Sequence, residues 1–497
     1  MRKKTIFLFV VGTMGLLGCP HLSHYCDEGY CDPKDDGGAD VSAPDGTSDT
    51  STDATTDRDP PPPGCDTPTE PLKNPEKCLV DSFGVFVSPS GDDSNAGTKE
   101  KPLKTIGKAL QIGRDRVVVC EGEYAGSLDV TRAVEIYGGV SCDFKKAGAK
   151  AKVVASKPGY GIKVEKVAAL VILADLDVVG MNAAAPSESS VGVFVTQSAD
   201  VKVLRSRVEA GDGADASAAR DGSFSYPADA LLKGANADDK GTGLFSDDTP
   251  GAGGASGTCP GGGSTAGGIG GVPGGQGNDG NPRPPGGAKG GVSGDCSLVA
   301  GAGTPGSPGM DRQGATPVAT LATTGLTGVK GQDGAPGTIG GGGGGGFGIM
   351  GAGGGGGAGG CGGQGGFGGG AGGSSIALLS FSSTVSLEAT DLVAKTARPG
   401  GAGGKGQIGQ AGGFRGNGSG GACQGGNGAK GGDGGGGGGG AGGIAAGIAW
   451  SGGKEPTKDA TTKITRPTGA GPAGGEGGAG ASNKGVDGVH ADVFEVK

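Results

Sequence analysis

The fold is decided by residues 161–180, GIKVEKVAALVILADLDVVG, and by a second segment of the same design, residues 192–211, GVFVTQSADVKVLRSRVEAG. Each segment runs from glycine to glycine and contains short alternations of β-branched residues separated by a small polar turn, a pattern typical of strands. One such unit cannot bury its apolar side chains alone, so repeated units stack on one another. We therefore predict that the two segments are consecutive coils of a parallel β-helix, in which Ile172 matches Val203.

The composition confines the apolar core to a few windows of the chain. Glycine supplies 121 of the 497 residues, and aromatic residues amount to only 4 %. The coil pattern returns at residues 374–398 and, more weakly, within the terminal coils that we place at residues 444–497. We predict that all these windows belong to one solenoid and that the glycine-rich blocks loop out from its turns. Such insertions are tolerable because the entropy cost of closing a loop rises only logarithmically with its length.

Residues 85–110 have the pattern of an entry into the solenoid. A short strand at residues 85–87 is followed by turns at GDD and GT, and Thr105 is placed to cap a short amphipathic helix. Together with the V-V-V, G-x-Y and V-x-I-x-G-G motifs that follow, this arrangement resembles the start of pectin-lyase-like right-handed parallel β-helices. The resemblance implies an all-β fold over residues 81–211 with a helix that plugs the open end of the coil.

The amino terminus has the pattern of an export signal, with three basic residues before an apolar run that is too short to span a bilayer. The run ends in a quartet that resembles the lipobox of bacterial lipoproteins: Leu16, Leu17, Gly18 and Cys19. This resemblance implies a signal peptide over residues 1–18, a lipid anchor on Cys19, and a location at the outer membrane with surface exposure. An ordinary secretory signal is the alternative.

Residues 19–80 are predicted to form an acidic tether rich in proline, serine, threonine and aspartate. Between Asp27 and Glu76 there are fourteen acidic and three basic residues, so most of the formal net charge of −9 lies in this stretch. Low hydropathy and like charge keep such a segment solvated and extended. No basic surface of the kind that binds nucleic acid is present in the sequence, so we do not expect that class of partner.

The glycine-rich excursions at residues 212–373 and 399–443, with a shorter segment inside the terminal coils, repeat glycine at every third position in several runs. A period of three matches the polyproline-II helix, in which glycine leaves one edge free of side chains. The composition resembles that of PGRS-type surface proteins. Two states stay open at this point: a polyproline-II or polyglycine-II bundle, and a mobile low-complexity mass.

Ten cysteines beyond Cys19 form an even set, as expected of disulfides in an oxidising compartment. Pairing each cysteine with a sequence neighbour gives the following expectations: Cys26–Cys31, Cys65–Cys78, Cys120–Cys142, Cys259–Cys296 and Cys361–Cys423.

The chain offers little material for catalysis. Two alternating acidic residues, Asp175 and Asp177, lie opposite Arg205 and Arg207 of the next coil, which is either a sugar-cleaving site or a charge ladder on a solvated sheet. We favour the ladder and expect no catalytic residue, cofactor or metal. The sequence therefore predicts a non-enzymatic envelope lipoprotein with a structural or adhesive role, anchored by its lipid and facing an extracellular polysaccharide or surface partner. The alternatives are a carbohydrate-active β-helix enzyme and a non-catalytic carbohydrate-binding protein.

Overall fold

The computed structural model describes residues 60–66, 68–240, 248–282, 287–296 and 300–497. The predicted signal peptide, Cys19 and the expected Cys26–Cys31 bridge lie outside these residues. The described helices are short, and they are α1 (Glu70–Lys73), α2 (Pro75–Cys78), α3 (Ile106–Ile112) and α4 (Asp229–Leu232), with one 3-10 turn at Ala481–Asn483.

Strands dominate the regular structure. In chain order they are β1 (Val85–Val87), β2 (Arg116–Cys120), β3 (Gly122–Ala125), β4 (Leu128–Val130), β5 (Val134–Val140), β6 (Ala151–Val154), β7 (Tyr160–Glu165), β8 (Leu170–Ala174), β9 (Leu176–Val179), β10 (Ser190–Thr196), β11 (Asp200–Leu204), β12 (Arg207–Glu209), β13 (Ala255–Thr258), β14 (Ser264–Ala266), β15 (Ala319–Ala322), β16 (Gly325–Gly328), β17 (Ser375–Ser383), β18 (Val385–Glu388), β19 (Asp391–Val393), β20 (Ile444–Gly453), β21 (Thr457–Lys458), β22 (Lys463–Thr465) and β23 (Val489–Glu495).

Three parallel sheets run the length of the solenoid, and each coil contributes one strand to each sheet. Sheet 1 has the order β1-β2-β5-β8-β11-β18-β21, sheet 2 the order β4-β7-β10-β17-β20-β23, and sheet 3 the order β3-β6-β9-β12-β19-β22. All pairings within the three sheets are parallel. The predicted parallel β-helix is therefore confirmed.

The two segments that decided the fold do stack as consecutive coils. Ile162 pairs with Val193, as the sequence indicates, but Ile172 pairs with Lys202 and not with Val203. The predicted match in this strand was wrong by one residue, because the turn between β7 and β8 is one residue longer than the turn between β10 and β11. The next coil begins only after residues 212–374. Val193 of β10 pairs directly with Leu378 of β17, so the whole excursion leaves the coil and returns to it at one corner.

The core of the coil is filled by aliphatic side chains from all three sheets, and it is closed at the amino-terminal end by α3. Leu103, Ile106 and Ala109 are buried in the same cluster as the strand residues. The Thr105 hydroxyl accepts the amide hydrogen of Lys108, so Thr105 is the N-cap, as predicted. This helix covers an apolar interior that would otherwise meet water.

The end of the predicted tether is folded and covers the outer face of sheet 1. Leu79 and Phe83 are buried in a second apolar cluster with side chains of β2, β5 and β8, and Cys78 is fully buried as well. A buried ion pair, Arg116–Glu135 at 3.1 Å, lies beside this cluster. The prediction that the tether extends to residue 80 was wrong there, because a few apolar side chains outweigh the polar composition of the segment around them.

The outer face of sheet 2 is covered by the β15–β16 hairpin, which belongs to the first glycine-rich excursion. Phe194, Leu379 and Ala449 of three successive strands pack in one cluster with Ala319 of the hairpin. These outward apolar residues explain why β10, β17 and β20 are almost wholly buried on both faces. The hairpin itself was not predicted from the sequence.

The glycine-rich excursions form an ordered lobe in which extended backbones hydrogen-bond sideways at every third residue. Between residues 334–346 and 354–366 the donors advance in steps of three while the acceptors fall in steps of three, at N···O distances of 2.7–2.9 Å: Gly334–Gly366, Gly337–Gly363, Gly340–Gly360, Gly343–Gly357 and Gly346–Gly354. Three residues per turn is the geometry of the polyproline-II helix. The bundle alternative is therefore the one that the structure adopts.

Neighbouring helices of this lobe are parallel as well as antiparallel. Residues 354–372 donate to residues 423–441, again every third residue, and here donors and acceptors advance together: Gly354–Cys423, Gly357–Gly426, Gly360–Ala429, Gly363–Gly432, Gly366–Gly435, Gly369–Gly438 and Gly372–Ala441. The all-glycine block 340–346 is buried throughout. Unbroken glycine blocks thus form interior helices that have neighbours on every side, while Gly-x-x runs keep one row of side chains at the rim.

Four disulfides are present among the described residues. Cys65–Cys78 and Cys120–Cys142 join the neighbours that were expected to pair. In the lobe, Cys259 is bonded to Cys361 and Cys296 to Cys423, so the expected Cys259–Cys296 and Cys361–Cys423 bridges were wrong. The lobe brings together residues that are 102 and 127 positions apart, and proximity along the chain therefore does not predict its bridges.

Candidate functional site

The four charged residues singled out in the sequence lie on or beside the outer face of sheet 3. Asp177 and Arg207 stand at one register position of β9 and β12. The same position carries a charged residue in all six strands, so that one row crosses the sheet in this order: Glu123, Lys152, Asp177, Arg207, Asp391 and Lys463. The signs alternate along the whole row, which we call the charge ladder.

Ion pairs link neighbouring rungs of the charge ladder. Lys152 Nζ lies 3.0 Å from Glu123 Oε2, and Arg207 Nη1 lies 3.2 Å from Asp177 Oδ1. Opposite charges on directly paired strand residues each contribute roughly 0.2–1 kcal/mol. Because each charge meets its opposite on the adjacent strand, no two carboxylates of the ladder are left side by side to act as an acid and base pair.

Four of the six ladder residues were missed in the sequence, although a signal for them exists. In five strands the charged residue comes immediately before a core-facing aliphatic residue: Lys152-Val153, Asp177-Val178, Arg207-Val208, Asp391-Leu392 and Lys463-Ile464. Aligning the coils on that dipeptide would have revealed the row.

Arg207 is held from two sides. Its guanidinium also contacts Glu209 on the same strand, and Lys395 Nζ lies 2.6 Å from the other oxygen of that carboxylate. Burial alone would raise the pKa of Glu209, but the hydrogen bonds from Lys395 and Arg207 hold it below its usual value. The Glu209 carboxylate is therefore bound on both of its oxygens by cationic groups.

Asp175 and Arg205 occupy the corner between sheets 1 and 3, outside the ladder. Arg205 donates to the Asp175 carboxylate from Nε at 3.0 Å and from Nη2 at 2.5 Å, and Nη2 also donates to the carbonyl oxygen of Pro68 at 3.1 Å. Both residues have positive φ angles, as does Ala389 at the same corner of the next coil. Burial raises the pKa of Asp175, although Arg205 opposes the shift. The pair anchors the folded segment before α1 to the coil.

A groove lies between α3 and the free edges of β3 and β4. It encloses a cavity of about 360 Å³ lined by Ile106, Tyr124 and Leu128, with Glu123 and Lys104 at its border. The Tyr124 hydroxyl donates to the carbonyl oxygen of Cys120 at 2.9 Å, and burial raises the pKa of this phenol. With a single carboxylate in its lining, the groove does not offer the paired carboxylates of a glycosidase.

The described residues contain neither a cluster of metal ligands nor a membrane-spanning helix. No group of three or more histidine, cysteine, aspartate or glutamate side chains in this part of the chain is arranged to hold a metal ion. Likewise, no described helix combines the length and the apolar character that crossing a bilayer requires.

Comparison with known proteins gives one family match and a few distant structural neighbours. A family model described as "Protein of unknown function (DUF1565)" matches residues 89–215. The chain is similar over 25 % of its length to a solved rhamnogalacturonan lyase (16 % identity, TM-score 0.21) and to the GH136 lacto-N-biosidase from Eubacterium ramulus (15 % identity, TM-score 0.21). It spans only 35 % of the lyase and 26 % of the biosidase.

A search of curated proteins gives no match. The matched residues 89–215 begin just after β1 and end at the start of the first glycine-rich excursion, so they coincide with the amino-terminal coils. The residues that match the DUF1565 model are therefore built as parallel β-helix coils, and the chain extends them with further coils and a glycine-rich lobe.

Proposed function

We propose that this chain is a non-enzymatic protein of the cell envelope, anchored through a lipid on Cys19 at the outer membrane and exposed at the surface, with a structural or adhesive role. The observation that carries the proposal is the construction of the lobe. Its interior consists mostly of glycine with a few small residues such as Ala352 and Ala358, so most larger side chains stand at the rim on a backbone fixed by hydrogen bonds.

The rim of the lobe carries an unusual share of large apolar side chains. Of the ten most exposed large hydrophobic residues in the described chain, eight lie in the lobe: Leu231, Ile269, Val272, Val292, Met310, Met350, Ile408 and Phe414. Exposed apolar side chains on a fixed backbone are available to contact other molecules. Phe414 and Ile408 share one helix and lie six residues apart, which is two turns of a polyproline-II helix.

The ion pairs made by the candidate acids support the non-enzymatic reading. Asp177 and Arg207 belong to the charge ladder, and the carboxylate of Asp175 forms an ion pair with Arg205 at a corner of the coil. Catalysis by a glycosidase requires two carboxyl groups facing one bond, separated by about 5–10 Å of open space. The ladder instead places a cation between each pair of neighbouring acids.

Adhesion is tested with the full chain displayed on cells through its own anchor. We expect cells that display the parent protein to attach to polysaccharide-coated surfaces, and Ile408→Ser/Phe414→Ser to reduce attachment severalfold. Thr465→Ser, an exposed change on the coil, serves as the control. Equal attachment of all three strains, or of cells lacking the protein, would contradict an adhesive role.

Anchoring and catalysis are tested separately. Cys19→Ala is expected to abolish incorporation of labelled palmitate and to release the protein from the membrane fraction. Incubation with a panel of polysaccharides is expected to release neither reducing nor unsaturated sugar ends. Release of such ends by the parent protein, together with its loss in Asp175→Ala/Asp177→Ala, would establish an enzyme and overturn the proposal.

A further inference from the structure

The outer face of sheet 3 is the one sheet face of the coil that no other described element covers. Sheet 1 is covered by the segment around α1 and α2, and sheet 2 by the β15–β16 hairpin. On sheet 3 the charge ladder is partly or fully exposed, and beside it runs a second row that is half-buried in its centre: Ala125, Val154, Val179, Glu209, Val393 and Thr465. A charged row and a largely aliphatic row thus lie side by side on a flat surface.

The alternation of the ladder restricts what can bind it. A uniformly acidic or uniformly basic partner would meet as many like charges as opposite ones, which cancels its attraction. A matching partner must itself alternate in sign with the strand spacing of about 4.8 Å. The ladder has six rungs and runs from Glu123 at one end to Lys463 at the other, so its own reverse is such a partner.

We propose that the outer face of sheet 3 binds the same face of a second copy of this chain. The twofold axis lies between the two faces, parallel to the strands, and passes between β9 and β12. This operation reverses the order of the rungs and keeps each row opposite itself. It places Glu123 opposite Lys463 of the second copy.

The same axis brings opposite charges together at the remaining rungs and aligns the second row with itself, where Val179 lies opposite Glu209. Lys152 faces Asp391 of the second copy, and Asp177 faces Arg207, so all six contacts join opposite charges. In the second row Val154 meets Val393. A closed, isologous pair results, because each contact occurs twice across the axis.

The size of the surface sets the strength of the association. Six strands at about 4.8 Å extend roughly 24 Å from the first rung to the last, and the face is two side-chain rows wide. Such a contact is smaller than the roughly 800 Å² per partner of a standard interface. The dimer is therefore weak and transient in solution, and it strengthens where copies are concentrated on a surface.

The experiment uses sedimentation equilibrium of the full chain carrying Cys19→Ser, which removes the predicted site of lipidation. The parent is expected to show a monomer–dimer equilibrium that weakens with added salt, because exposed charges are screened. Asp391→Lys places a cation opposite Lys152 of the second copy, at two symmetric positions. We expect the dimer dissociation constant to rise at least about tenfold.

The decisive variant is the double reversal Lys152→Asp/Asp391→Lys. These two rungs are not neighbours within one chain, since β9 and β12 separate their strands, so they can restore each other only across the twofold axis. We expect the double variant to return to within about threefold of the parent dissociation constant. The matched control reverses an exposed ion pair in the lobe, Lys330→Asp/Asp333→Lys, and should leave the constant unchanged.

Three results would overturn the inference: a parent that stays monomeric at all accessible concentrations, a dimer that survives Asp391→Lys, or a double reversal that fails to restore association. None of these results bears on adhesion or anchoring, which do not depend on this face. Thermal unfolding of each variant checks that the coil remains folded.

Discussion

The coil and the lobe differ in what fills their interiors. In the coil, aliphatic side chains such as Val203 and Leu378 fill the space between three sheets, and the backbone bonds lie around them. In the lobe, the interior is mostly glycine, and backbones approach closely enough for each helix to donate to its neighbours at every third residue. One region is stabilised mainly by apolar burial, whereas the other depends mainly on hydrogen bonds between main chains.

This difference teaches that glycine content alone does not decide between order and disorder. Ordering glycine costs more backbone entropy than ordering any other residue. The lobe offsets that cost with many main-chain hydrogen bonds, with two long-range disulfides, and with attachment of its helices to strands of the coil. Gly373 and Gly443 come almost directly before β17 and β20, so the lobe helices begin where the coil fixes them.

The largest effect is expected from a single methyl group inside the lobe. In Gly343→Ala the new Cβ would overlap the carbonyl oxygen of Gly426, and no flexible side chain can move aside. We expect local unfolding of the lobe, at a cost above about 4 kcal/mol, while the coil persists. Gly107→Ala is the control, because a Cβ on this residue of α3 meets open space, and it should be neutral or stabilising. Circular dichroism melts that are equal for both variants would contradict the account.

Next in size is the loss of the bridges in the lobe. On the chain-entropy model a bridge that closes 102 or 127 residues stabilises by about 5 kcal/mol, against about 3 kcal/mol for the 22-residue Cys120–Cys142 loop. Cys259→Ser/Cys361→Ser should therefore destabilise more than Cys120→Ser/Cys142→Ser, as measured by urea denaturation. The reverse order would show that the lobe is held by its backbone bonds alone.

A cavity in the coil should have an intermediate effect. Leu378→Ala removes a side chain that is 1 % exposed and lies between the successive strands β10 and β20. Large-to-small changes of this kind cost about 2–5 kcal/mol, and the loss should spread to the lobe that β17 supports. Val393→Ala, a half-exposed change on the outer face of sheet 3, should cost less than about 1 kcal/mol. Urea midpoints of the two variants give the comparison.

The smallest expected effect is a pH dependence at the carboxyl-terminal coil. The hydroxyls of Thr461 and Thr462 donate to Asp459, and these bonds hold its pKa well below the usual value. Because the folded pKa is lower than the unfolded one, the contribution of Asp459 is present above pH 3.8 and is lost as the pH falls below it. The difference in melting temperature between the parent and Asp459→Asn should therefore shrink from pH 6 to pH 3. A constant difference would show that the ionised carboxylate is not what stabilises this turn.

The sequence predicts the coil well because its signal is local. Alternating β-branched residues identify most strands, and Thr105 identifies the cap of α3. The one-residue error at Ile172 arises because turn lengths vary between coils, and composition does not report them. Polar composition also hid the folded end of the tether, where Cys78 and Leu79 are buried.

The lobe was harder to predict because its bonds connect residues that are distant along the chain. The period of three indicated the helix type, but the unbroken glycine block 340–346 shows no such period, although it forms an interior helix. Which helix neighbours which is set by the path of the whole chain, so the partners of Cys259 and Cys296 could not be deduced from spacing. Only the two central residues of the charge ladder were identified from the sequence, because its other residues lie on strands that are distant along the chain.

Amide hydrogen exchange compares the two regions most directly. The amides of Gly343, Gly357 and Gly363 should exchange as slowly as those of Leu378 and Leu379 in β17, because all are buried and most of the glycine amides there donate to a main-chain carbonyl. Slow exchange in both regions would establish an ordered bundle. Exchange of the glycine amides at the rate of an unstructured chain, with β17 still protected, would contradict the central claim that main-chain hydrogen bonds order the glycine-rich lobe.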